Sequence, residues 1–321
     1  MSHEITVRKD GTAEMAFTGP REAIWHGLGQ NLKKGASLDE WKTAAGMDFE
    51  VFESAVNYQA GADQKIFPDR KALFRSDSQA PLSIVGDDFK IVQPGEVIEF
   101  FRDLVEIHGM ELSTAGTLFG GKRFWALAEM GVEAEIVPGD KVQRHLLLTT
   151  AVDGSMATTG KVVLTRVVCN NTMTVALAER TNSAVRVTHK KMFDPTSVKI
   201  DLGVVDVAWA KMIGNLKKLA SAPMTASETR RFFEERIFDR DKTVDEQTWG
   251  AVRQVNRLTD LALNGSGSDM SKGTRWGALC GATELYTHGT GKRDASHQFW
   301  ESYHGELETK KFSMYQDLVL G

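Results

Sequence analysis

The stretch VQRHLLLTTAVDGSMATTGKVVLTRVVC, residues 142–169, contains two long apolar runs on either side of Asp153-Gly154. An Asp-Gly pair suits a two-residue hairpin turn, because both central positions of a type I′ turn require positive φ. We therefore predict an antiparallel β-hairpin whose strands cover 142–152 and 156–169. The other elements are placed outward from this hairpin.

The segments before this hairpin repeat its pattern. Residues 112–119 and 123–130 flank Gly120-Gly121, a second dipeptide that suits a tight hairpin turn. Shorter strand-like runs come earlier in the chain, at 49–52, 72–75, 82–85 and 89–92. The last two of these runs flank a turn at 86–88 and predict a third hairpin.

Helix signals interrupt the strand region and dominate after residue 200. Ser37 and Glu40 have the spacing of a capping box, which predicts a short helix through Trp41. Pro94 predicts the start of another helix, whose apolar residues recur at helical spacing as far as Val105. The remaining predicted helices cover 173–180, 204–219, 227–238, 247–263, 273–286 and 295–304.

The order of these elements predicts an α+β fold. It consists of a mixed antiparallel sheet of hairpins with packed helices, followed by a mainly helical C-terminal part. A length of 321 residues suggests about two structural units. We place the boundary where the periodicity changes, which gives an α+β domain over 1–200 and a helical region over 201–321.

Composition excludes several classes of protein. The chain is 41% hydrophobic and 26% charged, as expected for a globular protein and unlike a disordered or collagen-like one. Its apolar runs are far shorter than the ~18 residues that a membrane span requires. The polar start lacks a signal-peptide pattern, and the two cysteines favour a reducing compartment. We therefore expect a cytoplasmic protein that does not associate with a membrane.

The net charge of -4 conceals an uneven distribution along the chain. Residues 1–138 carry 14 basic and 22 acidic side chains, whereas residues 139–200 carry nine basic and four acidic ones. Nonspecific binding of nucleic acid requires a local excess of positive charge of this kind. A basic pair of strands that faces an acidic neighbour inside the same fold would explain the distribution equally well.

The best candidate binding site lies in this basic segment. A predicted strand ends near Arg166, and Asn171 would cap the helix that follows, so free N–H groups and the helix dipole would attract an anion there. The alternative is that Asn171 only caps the helix and that Arg166 pairs with an acid elsewhere. The candidate contacts to nucleic acid or phosphate are Lys122, Arg123, Trp125, Lys161, Arg166, Asn170, Asn171, Thr172, Arg186, His189, Lys190 and Lys191.

Patterns that would indicate an enzyme are incomplete. Residues 116–122 have the glycine and lysine spacing of a phosphate-binding loop, but Arg123 follows where Ser or Thr would hold magnesium. His297, Glu301 and His304 share one face of a predicted helix, yet a His in a last helical turn is already explained by the helix dipole. No nucleophile motif is present. We expect no catalytic residue, metal or cofactor, and an enzyme is the less favoured class.

Distinctive blocks are distributed over most of the chain. They are Trp25-His26-Gly27-Leu28-Gly29, Leu73-Phe74-Arg75, Gly120-Gly121 before Trp125, Asp153-Gly154, the run Arg166-Val167-Val168-Cys169-Asn170-Asn171-Thr172, and Gly273-Thr274-Arg275-Trp276-Gly277 with Thr283-Glu284 and His288. Together they resemble the phage/plasmid-like proteins grouped as domain of unknown function 932. The chain departs from that pattern at Cys280 and Thr287.

This resemblance implies a protein of mobile elements that acts in a bacterial cytoplasm, and it supplies no established activity. It also makes Trp25, His26 and Gly27 a possible family motif. Together with the charge distribution it favours a phage- or plasmid-type DNA-binding protein that binds or anneals single strands in recombination or replication. Lys and Arg would follow the backbone while rings such as Trp125 stack on bases, and we expect a homo-oligomer.

Two other classes of function remain open. One is an enzyme that acts on a phosphate-containing substrate at the helix start near Asn171. The other is a structural or host-interaction protein whose helical C-terminal region forms the partner surface.

Overall fold

The computed structural model describes residues 5–8, 10–19, 28–106, 109–166, 168, 171–174, 184–194, 196, 205–289 and 305–320. The predicted helix over 295–304, with His297, Glu301 and His304, lies outside these residues, as do Trp25, His26, Gly27 and Asn170.

The larger of two sheets has eight strands: β1 (Met15–Thr18), β2 (Gln30–Leu32), β6 (Glu111–Leu118), β7 (Arg123–Val137), β8 (Asp140–Ala151), β9 (Thr158–Arg166), β10 (Asn171–Thr174) and β11 (Ala184–Val187). Their order is β10-β9-β8-β7-β6-β1-β2, with β11 also paired to β9. Both hairpins predicted from Gly120-Gly121 and Asp153-Gly154 are confirmed. All nine residues of β9 are buried, including its polar and charged members Thr158, Thr159, Lys161, Thr165 and Arg166.

The smaller sheet has the strands β3 (Val51–Ala60), β4 (Asp63–Arg75) and β5 (Pro81–Gly86), in that order. The predicted hairpin between 82–85 and 89–92 is wrong, because residues 89–92 form no strand. Strand β5 pairs with β4 instead, with Ala72 opposite Ile84. The backbone N–H of Lys90 donates to the His189 carbonyl at 2.6 Å, so this segment takes its partner from a distant part of the chain.

Eight α-helices lie in the described part of the chain: α1 (Leu38–Ala44), α2 (Pro94–Glu99), α3 (Arg102–Glu106), α4 (Val205–Ser221), α5 (Ala226–Ile237), α6 (Trp249–Asn264), α7 (Arg275–His288) and α8 (Glu306–Leu320). The capping box of Ser37 and Glu40 is confirmed at the start of α1. The helix predicted from Pro94 is divided into α2 and α3. Helix α8 was not predicted.

The predicted helix over 173–180 does not begin where the sequence suggested. Asn171, Thr172 and the next two residues form β10, antiparallel to β9, with Asn171 opposite Arg166. The chain therefore turns back and extends the sheet after Arg166, because the edge of β9 offers these residues backbone partners. The α+β class and the mainly helical C-terminal part are confirmed.

The chain forms two compact units. One consists of residues 1–131, 145–162 and 182–204, and the other of residues 132–144, 163–181 and 205–321. In the second, α7 is buried on nearly all sides, and α6 and α7 pack closely because a Cβ at Gly281 would lie 2.5 Å from the Ala262 nitrogen. The domain boundary near residue 200 stays a prediction.

Candidate nucleic-acid interface

The turn between β8 and β9, residues 152–157, gathers segments that are distant in sequence. At its start, the Val152 N–H donates to the Lys122 carbonyl at 2.8 Å. The Ser83 hydroxyl donates to the Val152 carbonyl at 2.5 Å. The tip of the β6–β7 hairpin, which carries Lys122, is thereby fixed beside the Asp153-Gly154 turn.

Arg123 is held at the same place by an acid and an aromatic ring. Its Nε lies 3.5 Å from an Asp153 carboxylate oxygen, and both side chains are one-fifth exposed. Its guanidinium lies 4.6 Å from the centre of the Phe119 ring, a cation–π distance. Phe119 is half-buried and has a φ of +56°, which is uncommon for a residue with a side chain. The hairpin tip therefore presents a cation and a ring together.

His189 fixes a third segment to the turn. Its Nε2 lies 3.1 Å from the Met156 carbonyl, its Nδ1 lies 2.9 Å from the Lys90 carbonyl, and its ring stacks on Phe89 at 4.3 Å. The His189 side chain is buried, which argues against the ligand contact predicted from the sequence. It positions Phe89, Lys90 and the two lysines that follow it.

These contacts bring together six cations that we name the basic edge: Lys90, Lys122, Arg123, Arg186, Lys190 and Lys191. Lys90, Lys190 and Lys191 are exposed, as is Arg186, which lies on β11 opposite Thr159. Within the described residues, Arg123 alone of these six has an ion pair. Three carboxylates lie in the same turns, Asp87, Asp88 and Asp153. The basic edge therefore keeps a local excess of positive charge.

Arg166, the strongest candidate from the sequence, does not belong to this surface. Its guanidinium makes two hydrogen bonds to the Asp140 carboxylate, at 2.8 and 2.6 Å, and also donates to the carbonyls of Ser266 and Gly267. The Trp276 indole N–H donates to the same carboxylate at 2.8 Å. Arg166 is 1% exposed, so the prediction of a phosphate contact is wrong and the alternative of an internal pair is confirmed.

Two further candidates are also buried. Lys161 points from a fully buried strand and is 6% exposed. Trp125 is 2% exposed, and a Cβ at Gly116 would lie 2.3 Å from its ring, so the indole is packed against backbone and cannot stack on a base. Lys161 and Arg166, two of the basic candidates between residues 161 and 191, are therefore both buried. Arg186, Lys190 and Lys191 are the exposed candidates of this segment in the described chain.

The start of β10 does not provide the predicted anion site. Asn171 and Thr172 belong to a strand that pairs with β9, so Asn171 does not cap a helix as the sequence had predicted. The enzyme hypothesis that depended on a helix start near Asn171 loses its structural basis. Among the described residues, no group of three or more His, Cys, Asp or Glu side chains could hold a metal ion.

Lys90, Phe89 and Phe119 were missed by the sequence-based prediction. Phe89 and Lys90 were assigned to a strand, and nothing local indicates that they meet His189, which lies 99 residues away. Phe119 directly precedes the Gly120-Gly121 turn, and this position at a hairpin tip could have indicated a partly exposed ring near Lys122.

Comparison with known families gives a match. The family model described as a domain of unknown function (DUF932) matches residues 81–303, a range that contains the entire basic edge. No curated protein matches the chain. No solved structure matches it either. Within the described residues, no helix combines the length and the apolar character needed to cross a membrane.

Proposed function

The chain belongs to the family of the domain of unknown function DUF932, and on the strength of the basic edge we propose that it binds single-stranded nucleic acid, with DNA as the favoured partner. The observation that carries the proposal is the convergence of six cations on one turn of the sheet. They come from three separate stretches of chain and are held there by the hydrogen bonds of Val152 and His189.

Electrostatics supports this proposal. Like charges brought together on a surface repel one another, and a polyanion removes that repulsion while it releases its own counterions. Asp87, Asp88 and Asp153 offset part of the charge, so the excess is moderate. We therefore expect affinity that depends strongly on salt, without a requirement for a specific sequence.

The two aromatic rings favour single strands over duplex. Phe89 and Phe119 are both half-buried, and each lies beside a cation of the basic edge. A ring with one open face can stack on an unpaired base, and this contact is not available to a base inside a duplex. Phe89 and Phe119 take the role that the sequence had assigned to Trp125.

The biological setting that we propose follows the family resemblance. Binding of single strands suits recombination or replication of a phage or plasmid in a bacterial cytoplasm. Proteins that coat or anneal single strands act as assemblies, so self-association belongs to the same proposal. A structural or host-interaction role would leave the basic edge without a ligand.

The test is fluorescence anisotropy with a labelled 30-nucleotide oligothymidine between 50 and 300 mM salt. Each phosphate contact contributes about 0.7 to the slope of log affinity against log salt for single strands. The Lys90→Ala/Lys190→Ala/Lys191→Ala variant should therefore lose roughly two units of slope. The matched control, Lys211→Ala/Lys217→Ala/Lys218→Ala, removes three exposed lysines of α4 and should bind like the wild type. Absence of binding at micromolar protein, or equal losses in both variants, would overturn the proposal.

A further inference from the structure

The hairpin of β3 and β4 carries an arm that is almost entirely exposed. We define the arm as residues 52–70, of which Val56 and Ala60 alone are half-buried and the rest are exposed. Its apolar side chains include Phe52, Tyr58, Ile66 and Phe67, which are 46%, 44%, 66% and 46% exposed. Exposed apolar residues are ordinary when scattered singly, but a contiguous group of large ones marks an interaction surface.

Strand β5 pairs with β4 only over Arg70–Phe74. Between Arg70 and its tip the arm is therefore a ribbon of two strands. The β3–β4 ladder nevertheless continues to Ala60 opposite Asp63. A lone two-stranded hairpin is marginally stable in water, since neither of its faces is covered. An arm of this length is therefore expected to pack against a partner.

The inner part of the same sheet also has an open apolar face. Phe52 packs edge-on against Phe74 at 5.9 Å, and Ala72 lies opposite Ile84, which is 63% exposed. The alternate residues Leu73 and Arg75 are buried, so the sheet turns its other face to the protein core. Small and apolar residues thus continue from the arm onto the outward face of the three-stranded sheet.

The two edges of the arm differ. Strand β4 carries Lys65, Pro68 and Asp69, and its register shifts because several of its residues bulge between Ile66 and Lys71. Charges, proline and bulges are the devices that protect an edge strand from pairing. Strand β3 runs for ten residues with Glu53 as its sole charge and no proline. Its outer edge has no partner strand in the described residues. The Gln93 side chain bonds the backbone of Val51 at the start of this edge, and the edge beyond Val51 lacks such protection.

We infer that β3 pairs, antiparallel and about a two-fold axis, with β3 of a second copy of this chain. Charge favours a second copy as the partner of the arm. The arm and Lys71 carry three acids and three bases, so their net charge is zero and they do not attract a nucleic acid or a strongly charged protein. A two-fold axis at Ala55 places Phe52 opposite Tyr58 of the other copy, an aromatic cross-strand pair, and brings no like charges together.

The paired surface is the β3 edge of each copy, on which residues 52–58 of one chain lie opposite residues 58–52 of the other. Pairing turns two lone two-stranded ribbons into one four-stranded sheet, and a sheet needs at least three strands for independent stability. Pairing of the two β3 edges would join the three-stranded sheets into one continuous sheet of six strands.

This inference deepens the self-association part of the proposed function and rests on it, but it does not involve the basic edge. The region matched by the family model begins at residue 81, after the arm. Because the molecular mass can be measured without nucleic acid, a failure of the arm to pair is distinguished from a failure of the protein to bind DNA.

The test is sedimentation velocity between 1 and 100 µM protein, with no nucleic acid present. The wild type should have twice the mass of one chain. The Phe52→Lys/Tyr58→Lys variant places lysine opposite lysine in the inferred register and should be monomeric, and so should Phe52→Glu/Tyr58→Glu. An equal mixture of the two variants should recover the dimer, because opposite charges then face each other. The control Val244→Lys/Trp249→Lys alters two other exposed apolar residues and should stay dimeric.

A second measurement does not depend on disrupting the arm. Directly opposed residues of antiparallel strands have Cα atoms about 4.5–5.5 Å apart, which is within disulfide range. Ala55→Cys in a Cys169→Ser background should therefore form a linked dimer on mild oxidation, whereas Ser78→Cys in the β4–β5 turn should not. A wild-type monomer at 100 µM, a dimer that survives both charged variants, or failure of the mixture to recover it would overturn the inference.

Discussion

Arg166 and Asp140 form a two-point ion pair in which the guanidinium is 1% exposed and the carboxylate is fully buried. The Trp276 indole and two backbone carbonyls complete their hydrogen bonding. A buried pair with every polar atom engaged holds its surroundings in one arrangement, because separation of the partners would leave a charge without water. Arg166, the strongest candidate for a binding residue in the sequence, thus has a structural role.

The first prediction concerns this pair. Arg166→Ala leaves the Asp140 carboxylate buried and uncompensated, so the free energy of unfolding should fall by about 3–5 kcal/mol. Urea denaturation followed by circular dichroism measures this change. The affinity of the folded fraction for oligothymidine should equal that of the wild type. A stable Arg166→Ala protein that no longer binds the oligonucleotide would contradict the structural role.

The second prediction concerns the packing of Trp125. A Cβ at Gly116 would lie 2.3 Å from the indole ring, and both residues belong to the paired strands β6 and β7. Gly116→Ala should therefore reduce the free energy of unfolding by about 1–3 kcal/mol through overpacking. Gly214→Ala in α4 is the control, since no atom outside its own turns of helix lies within 4 Å of the added Cβ, and it should stabilise the helix by roughly 0.5–1 kcal/mol. Equal effects at the two sites would contradict this description of the core.

The third prediction concerns pH. The hydrogen bonds that Arg75 donates to Asp77 lower the pKa of that carboxyl from 3.8 to about 2. A lowered carboxyl pKa stabilises the fold above the ordinary pKa, and this contribution is lost as pH falls from about 4 through about 2. Unfolding free energies measured over that range should decline less steeply for Asp77→Asn than for the wild type. The matched control is Asp87→Asn, because Asp87 is exposed and has no ion pair in the described residues. If Asp77→Asn leaves the pH dependence of the unfolding free energy unchanged, the Arg75–Asp77 pair does not contribute to it.

The fourth prediction concerns the two rings of the basic edge. Phe89→Ala and Phe119→Ala should each weaken binding of single strands, because base–aromatic stacking is worth about 1–3 kcal/mol per base. Binding to duplex DNA of the same length should change little, since paired bases do not reach the rings. Anisotropy with both probes gives the comparison, and Phe312→Ala on α8 removes a ring outside the basic edge. Equal losses for single and double strands would rule out stacking.

Local turn and cap chemistry allowed much of the fold to be predicted. Asp153-Gly154 and Gly120-Gly121 identified the two central hairpins, and Ser37 with Glu40 identified the start of α1. These signals are reliable because each involves neighbours in sequence whose φ values or hydrogen bonds are set by residue type.

The arm and the basic edge could not be predicted in the same way. Strand β4 contains Pro68, charged residues and a register shift, so it lacks the alternation that indicates a strand. The contact of His189 with Lys90 joins residues 99 positions apart, and neither carries a local signal for the other. The burial of Arg166 depends likewise on Asp140 and on loop carbonyls about 100 residues away.

The most direct test of the central claim is ultraviolet crosslinking of the wild-type protein to a 30-nucleotide oligothymidine, with the modified peptides identified by mass spectrometry. The peptides that contain Phe89, Phe119 and Lys190 should carry the crosslinks, and an excess of unlabelled single strand should abolish them. Crosslinks confined to the arm or to the C-terminal helices, or none at saturating oligonucleotide, would contradict the assignment of the basic edge as the nucleic-acid interface.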